Sequence, residues 1–185
     1  MTKPAIFFDR DGIIVKPVKG EAPVKPEEMK LIAGIIPVIK KSKQSGYLIF
    51  VVSNQPDIAL GLIDEITKNS LEEKFISLLK EQNIKMDKIY YCHHDENGTN
   101  PAYAINCDCR KPKPGLLKKA AKEFEVDLKN SFMIGDRASD IKAGQAYGVK
   151  TILYDPLNSQ EKFLQRHNIN PDFCINKLAE ILELI

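Results

Sequence analysis

The tetrapeptide Asp9-Arg10-Asp11-Gly12 places two carboxylates two residues apart, directly behind the apolar run Ala5 to Phe8. At that spacing one carboxylate can attack an electrophile while the other moves a proton. Both can also stand beside a divalent cation that relieves their repulsion. A solvated turn often carries Asp-x-Asp too, so the weight falls on three further pieces. Ser53-Asn54-Gln55 follows a second apolar run; Arg110-Lys111-Pro112-Lys113-Pro114-Gly115 precedes a helical pattern; and Phe132-Met133-Ile134 ends in Gly135-Asp136-Arg137-Ala138-Ser139-Asp140. A hydroxyl and an amide can donate to a phosphoryl oxygen, a lysine can neutralise developing negative charge, and Asp136 can complete an oxygen-rich magnesium site.

A second cluster has softer ligands. Cys92-His93-His94 and, after twelve intervening residues, Cys107-Asp108-Cys109 form a C-x-H and a C-x-C pair. Cys92, His94, Cys107 and Cys109 suffice for a closed tetrahedral zinc site of the structural kind, with His93 the neighbour of the chosen ligand. The bland alternative is a loop of buried or reactive thiols. The polar stretch Asp95 to Asn106 has little to bury, so metal would order it and place Arg110 and Lys111 at the mouth of the first site.

Elements that could position these groups are legible in the pattern. Ala5–Phe8, Tyr47–Val52, Lys88–Tyr91, Phe132–Ile134 and Thr151–Tyr154 read as short buried strands. Ile35–Ser45, Ile63–Gln82, Leu116–Phe124 and Ala138–Tyr147 read as helices, the first and last closed by Gly46 and Gly148. Alternation of this kind predicts an α/β fold: a doubly wound, Rossmann-like parallel sheet whose ligands lie beyond the carboxyl ends of the strands. Segment Ile13 to Leu31 reads as an irregular excursion. Beyond Ser159 come a helical piece, a Phe173–Ile175 strand and a final helix, Leu178–Leu184.

The chain has 185 residues, 43% hydrophobic and 28% charged, which suits one domain over 1–185 with a zinc loop at 92–109 and no room for a large cap. A net charge of +2 advertises neither nucleic acid nor an anionic membrane. No apolar run reaches the length of a spanning helix and no signal-like core opens the chain, so a soluble, cytoplasmic protein is expected. His167 is expected at the surface and Cys174 in the core. Tyr90, Tyr91, Phe124 and Phe132 are expected to pack rather than to stack on bases.

The four motifs in this order resemble the haloacid dehalogenase-like phosphatase superfamily over nearly the whole chain. The resemblance implies that Asp9 is the nucleophile, Asp11 the general acid and base, Ser53 the phosphate-binding hydroxyl and Lys111 the motif lysine. It also implies magnesium held by Asp9, Asp136 and the backbone carbonyl of Asp11, with Asp140 in support. An aspartyl-phosphate would form on Asp9 as Asp11 protonates the leaving alcohol, and Asp11 would then take a proton from the attacking water.

Within the superfamily, the Cys-His loop is similar to that of the heptose 1,7-bisphosphate phosphatases and the related histidinol-phosphate phosphatases. Its twelve-residue gap resembles the heptose group. That likeness implies substrate contacts from Asn54, Gln55, Arg110 and Arg137, and hydrolysis of D-glycero-D-manno-heptose 1,7-bisphosphate to heptose 1-phosphate in lipopolysaccharide-precursor synthesis. Expected partners are therefore a small phosphorylated sugar, with no nucleic acid and no membrane, and the chain is expected to act as a monomer. Departures from the heptose pattern fall at Asp57 and at Leu60, where an arginine is usual. They fall also at Ile13 and Val15, where polar residues near the substrate are usual. Histidinol phosphate or another small phosphorylated metabolite is the alternative substrate. A module that accepts phosphate on Asp9 without turnover is the alternative class, disfavoured by Asp11.

Overall fold

The computed structural model describes residues 2–159, 164 and 166–185. Its frame is a parallel sheet of β1 (Ala5–Phe8), β2 (Leu48–Asn54), β3 (Lys88–Cys92), β4 (Phe132–Gly135), β5 (Lys150–Tyr154) and β6 (Phe173–Ile175). The strand order is β3-β2-β1-β4-β5-β6, so the chain reverses its winding direction beside β1. This is the switch point at which doubly wound sheets bind ligands.

The central strands β1 and β4 are buried along their whole length because both faces are covered. Alternation along each strand sends Ile6, Phe8, Ile49, Val51, Phe132 and Ile134 to one core, and Ala5, Phe7, Phe50, Val52 and Met133 to the other. The first face receives α1 (Ile35–Gln44) and α2 (Glu65–Glu81) through Val38, Ile39, Leu71 and Phe75. The second receives α3 (Gly115–Phe124) and α4 (Ala138–Tyr147) through Leu116, Leu117, Ala120 and Ala143.

Boundaries differ from the sequence pattern for local reasons. Ser53 and Asn54 belong to β2 rather than follow it, paired with Tyr91 and Cys92 of β3. Helix α2 begins at Glu65, two residues later than predicted, because Asp64 accepts from Thr67 N at 2.8 Å and caps it. The C-terminal helix is a 3-10 turn, Leu178–Glu180, leading into α5 (Ile181–Leu184). The helical piece predicted after Ser159 falls mostly on residues 160–163 and 165, outside the described residues.

Cys174 is exposed, contrary to the core position predicted for it, because β6 is the edge strand. His167 is exposed as predicted. Among the described residues, no helix is long and apolar enough to cross a membrane.

Candidate active site and metal centres

The carboxyl ends of β1, β2 and β4 open onto a cavity of about 720 Å³, lined in part by Asp9, Asp11, Ser53, Asn54, Arg110, Lys111 and Arg137. Immediately after β1 the chain turns back on itself: the amides of Ile14 and Val15 both donate to the Arg10 carbonyl at 2.8 Å. The turn passes through Gly12 at φ +86, where a Cβ would meet Asp136 Oδ2 at 2.1 Å. Glycine is required there both for its backbone angle and for the carboxylate it admits.

Lys111 is fully buried and ties the strand ends together. Its Nζ lies 2.9 Å from Asp9 Oδ1 and 2.6 Å from Asp140 Oδ1, and donates to the Val52 carbonyl at 2.8 Å. Burial alone would depress its pKa, but the carboxylates of Asp140 and Asp9 outweigh that effect and raise it above the ordinary value. The ammonium is therefore a fixed positive charge at neutral pH.

Asp136 has the opposite environment. Burial, with the nearby charges of Asp9 and Asp140, pushes its pKa up to about 7, and among the described residues its buried Oδ1 has no hydrogen-bond partner. A buried carboxylate oxygen left unpaired beside two further carboxylates is the arrangement a divalent cation resolves. Asp9, Asp136 and Asp140 each bring a ligand atom within 4.8 Å of one another, so the donor set fits magnesium. Asp140 is not confined to supporting that cluster. It also holds Lys111, and its Oδ2 accepts from the amide of Arg137 at 3.0 Å.

Asn54 and Gln55 have partners of their own within the protein. Asn54 bridges β2 to the lysine loop, donating from Nδ2 to Lys111 O at 2.9 Å and accepting from Lys111 N at 3.0 Å. Gln55 Nε2 donates to Asp11 Oδ2 at 2.6 Å and to Ser53 Oγ at 2.9 Å. Asn54 borders the cavity, whereas Gln55 lies behind Asp11. Arg110 and Arg137 both line the cavity. Arg110 is anchored by Asp95 at 2.8 Å and by the His94 carbonyl at 3.1 Å, while Arg137 is an exposed side chain near Gly20 and Glu21.

The excursion between β1 and α1 lines the cavity through Val18, Lys19, Glu21, Ala22 and Val24, and the segment after β2 lines it through Pro56, Asp57, Leu60 and Leu62. Asp57 has a raised pKa, chiefly from burial. Ile13 and Val15 are placed differently from the sequence reading. Both are fully buried in the core and neither lines the cavity, because the turn after Gly12 carries them under the sheet end. Of the four departures from the heptose pattern, only Asp57 and Leu60 face the cavity.

The second centre assembles as predicted in composition. Cys92, His94, Cys107 and Cys109 converge, with Cys109 Sγ 3.0 Å from Cys92 Sγ, 3.2 Å from Cys107 Sγ and 3.4 Å from His94 Nδ1. Ligands bonded to zinc at about 2.3 Å would be spaced by about 3.8 Å, so three thiols and an imidazole at these separations fit a zinc tetrahedron after a small expansion. The Cys109 thiol, as donor, holds Cys92 down to about 5, and the same contact pushes Cys109 up. Only a cation lets both become thiolates together. His93 faces elsewhere: its Nε2 pairs with Glu72 at 3.1 Å and its Nδ1 contacts Gln55 O at 3.2 Å.

Arg10 is the residue that sequence reasoning missed. It is 1% exposed, and its side chain reaches Asp11 rather than water. Its place between two aspartates at a turn gave no sign of burial.

Comparison with known proteins agrees with this geometry. Residues 108–181 match the HAD-hydrolase-like family model. The chain is 34% identical over 98% of its length, and 95% of the relative's, to a D-glycero-beta-D-manno-heptose-1,7-bisphosphate 7-phosphatase of Photorhabdus laumondii. It is 38% identical, over 99% and 97% of the two chains, to the enzyme of that name in Pasteurella multocida. The structure matches that of a D,D-heptose 1,7-bisphosphate phosphatase from B. bronchiseptica, complexed with magnesium and phosphate, with a TM-score of 0.81 and 25% identity over 98% and 97% of the two chains.

Proposed function

The chain belongs to the haloacid dehalogenase-like phosphatases, and from that premise we propose that it removes the 7-phosphate of D-glycero-D-manno-heptose 1,7-bisphosphate. The observation that carries this reading is the buried contact of Lys111 with Asp9, beside Asp136, on a cavity walled by Arg110 and Arg137. One end of that cavity suits an attacked phosphoryl group, and the two arginines suit the charge and hydroxyls of the rest of a sugar phosphate.

Magnesium, when bound by the carboxylates of Asp9 and Asp136 and the Asp11 carbonyl, supplies positive charge for the phosphoryl oxygens and suppresses the mutual repulsion of the carboxylates. Lys111 holds Asp9 in place and offsets the charge that develops on transfer. Ser53 Oγ donates to a phosphoryl oxygen. An Asp9 carboxylate oxygen forms a bond to phosphorus as the bond from phosphorus to the sugar oxygen breaks, and Asp11 gives its proton to that oxygen. Water then attacks the phosphorus, its proton goes to Asp11, and the bond from phosphorus to Asp9 breaks to release phosphate.

Asn54 serves by fixing the lysine loop, and Asp140 by holding Lys111 beside the metal. Zinc at Cys92, His94, Cys107 and Cys109 would fix the loop that carries the anchors of Arg110. On this reading residues 1–185 act as a single cytoplasmic phosphatase domain and as a monomer.

Phosphate release with magnesium, from both anomers of heptose 1,7-bisphosphate, from histidinol phosphate and from simple sugar phosphates, tests this. Preferred turnover of a heptose bisphosphate, abolished by Asp9→Asn, is the expected result. Preference for another substrate would overturn the heptose assignment while keeping the chemistry, and no turnover of any compound would overturn both.

A further inference from the structure

A buried arginine needs a reason, because removing a guanidinium from water costs several kcal/mol unless a counter-charge and hydrogen bonds compensate. Arg10 is among the largest fully buried side chains, lying 6.0 Å from the Phe75 ring and 5.8 Å from the Tyr91 ring. Its ion pair is with Asp11. Nε lies 3.2 Å from each Asp11 carboxylate oxygen, and Nη2 lies 3.1 Å from Oδ2. Its backbone acts on the other aspartate, the Arg10 amide donating to Asp9 Oδ1 at 2.7 Å. One residue thus orients both members of the pair.

A second donor to the Asp11 carboxylate comes from the residue that follows β2. Gln55 Nε2 donates to the same Oδ2 at 2.6 Å. Gln55 is itself pinned by the segment that bears the zinc ligands: its amide donates to the Cys92 carbonyl at 2.7 Å, and its carbonyl meets His93 Nδ1 at 3.2 Å. Among the described residues, Asp11 Oδ2 therefore receives donors from both Arg10 and Gln55, while Oδ1 meets Arg10 Nε alone, at 3.2 Å, and is the freer oxygen for proton exchange.

We propose that Arg10 and Gln55 form a clamp that positions the Asp11 carboxyl for proton transfer, making both of them positioning residues of the hydrolytic reaction. This rests on the role assigned to Asp11 above. The clamp fixes which oxygen faces the leaving group, and it transmits the order of the Cys-His loop to the proton carrier through Gln55.

The test compares Arg10→Met, Gln55→Met and Asp11→Asn in single-turnover phosphorylation of Asp9. The two substrates are a sugar phosphate, whose leaving alcohol needs a proton, and p-nitrophenyl phosphate, whose leaving phenolate does not. A clamp that serves the proton predicts that both Met variants lose at least about tenfold more rate on the sugar phosphate than on p-nitrophenyl phosphate, in the same sense as Asp11→Asn. Equal losses on the two substrates, as a merely structural role would give, overturn the clamp if Asp11→Asn still discriminates between them. If Asp11→Asn shows no such discrimination, the assigned role of Asp11 is overturned instead. Should Arg10→Met fail to fold, Gln55→Met decides the matter, since methionine nearly conserves the volume of glutamine.

Discussion

The ammonium of Lys111 lies 2.9 Å from Asp9 Oδ1, joining the loop before α3 to the end of β1 inside the protein, with Asp140 on its other side at 2.6 Å. Deleting the cation in Lys111→Met leaves two buried carboxylates facing each other. Breaking a buried pair of this kind costs about 3–5 kcal/mol of stability. The expected outcome is a loss of that order in urea unfolding, partly restored by magnesium, together with a fall in phosphate release of at least about a hundredfold. A stable variant with near-normal turnover would contradict the reading.

Asp136 gives the stability a definite pH dependence. Its pKa of about 7 in the folded chain lies above the ordinary 3.8, so the folded state binds the proton more tightly than the unfolded one. Without metal, this contribution is fully present below the unfolded value and is lost as pH rises through about 4 to 7. Magnesium competes for the deprotonated carboxylate. The melting-temperature gain on adding magnesium should therefore be larger at about pH 7.5 than at about pH 5, which differential scanning fluorimetry would read. Equal gains would contradict a proton on Asp136 that magnesium must displace.

The second centre should reveal itself by metal content. Cys109 touches each of the other three candidate ligands, so Cys109→Ser should lose bound zinc in elemental analysis and lower the melting temperature. Arg110 is anchored at Asp95 and at the His94 carbonyl, so loosening the loop should raise KM more than it lowers kcat. Retention of zinc in the variant would exclude Cys109 as a ligand.

Leu60 stands on the cavity wall where heptose enzymes usually carry arginine. Introducing Leu60→Arg adds a cation facing the substrate. It should raise kcat/KM for a bisphosphate over a monophosphate by roughly tenfold, measured in competition. Ile13→Thr, at a fully buried position, should instead lower stability without changing that ratio.

Much of the architecture was legible in the chain itself. Strands buried on both faces read as unbroken apolar runs, and helices covering them read at the helical period, so the element order and the chemistry at the ends of β1 and β4 followed from local pattern. The Cys-His set was legible for a similar reason: ligand type and spacing alone define a candidate tetrahedral site.

Contacts between distant segments decided the rest. Arg10 looks like a turn residue until α2 and β3 close over it, and Gln55 looks like a substrate ligand until its amide is found on Asp11. Ile13 and Val15 resemble changes in a binding loop until the turn at Gly12 carries them into the core. His93 and His94 are equivalent as neighbours in sequence, and only the path of β3 into the loop directs one to Glu72 and the other to the cysteines. Residue type and spacing thus determined which reactive groups this protein has and which strands present them. Burial and pairing are properties of segments far apart in the chain, so the tertiary structure alone decided which of those groups face the cavity and which hold the others in place.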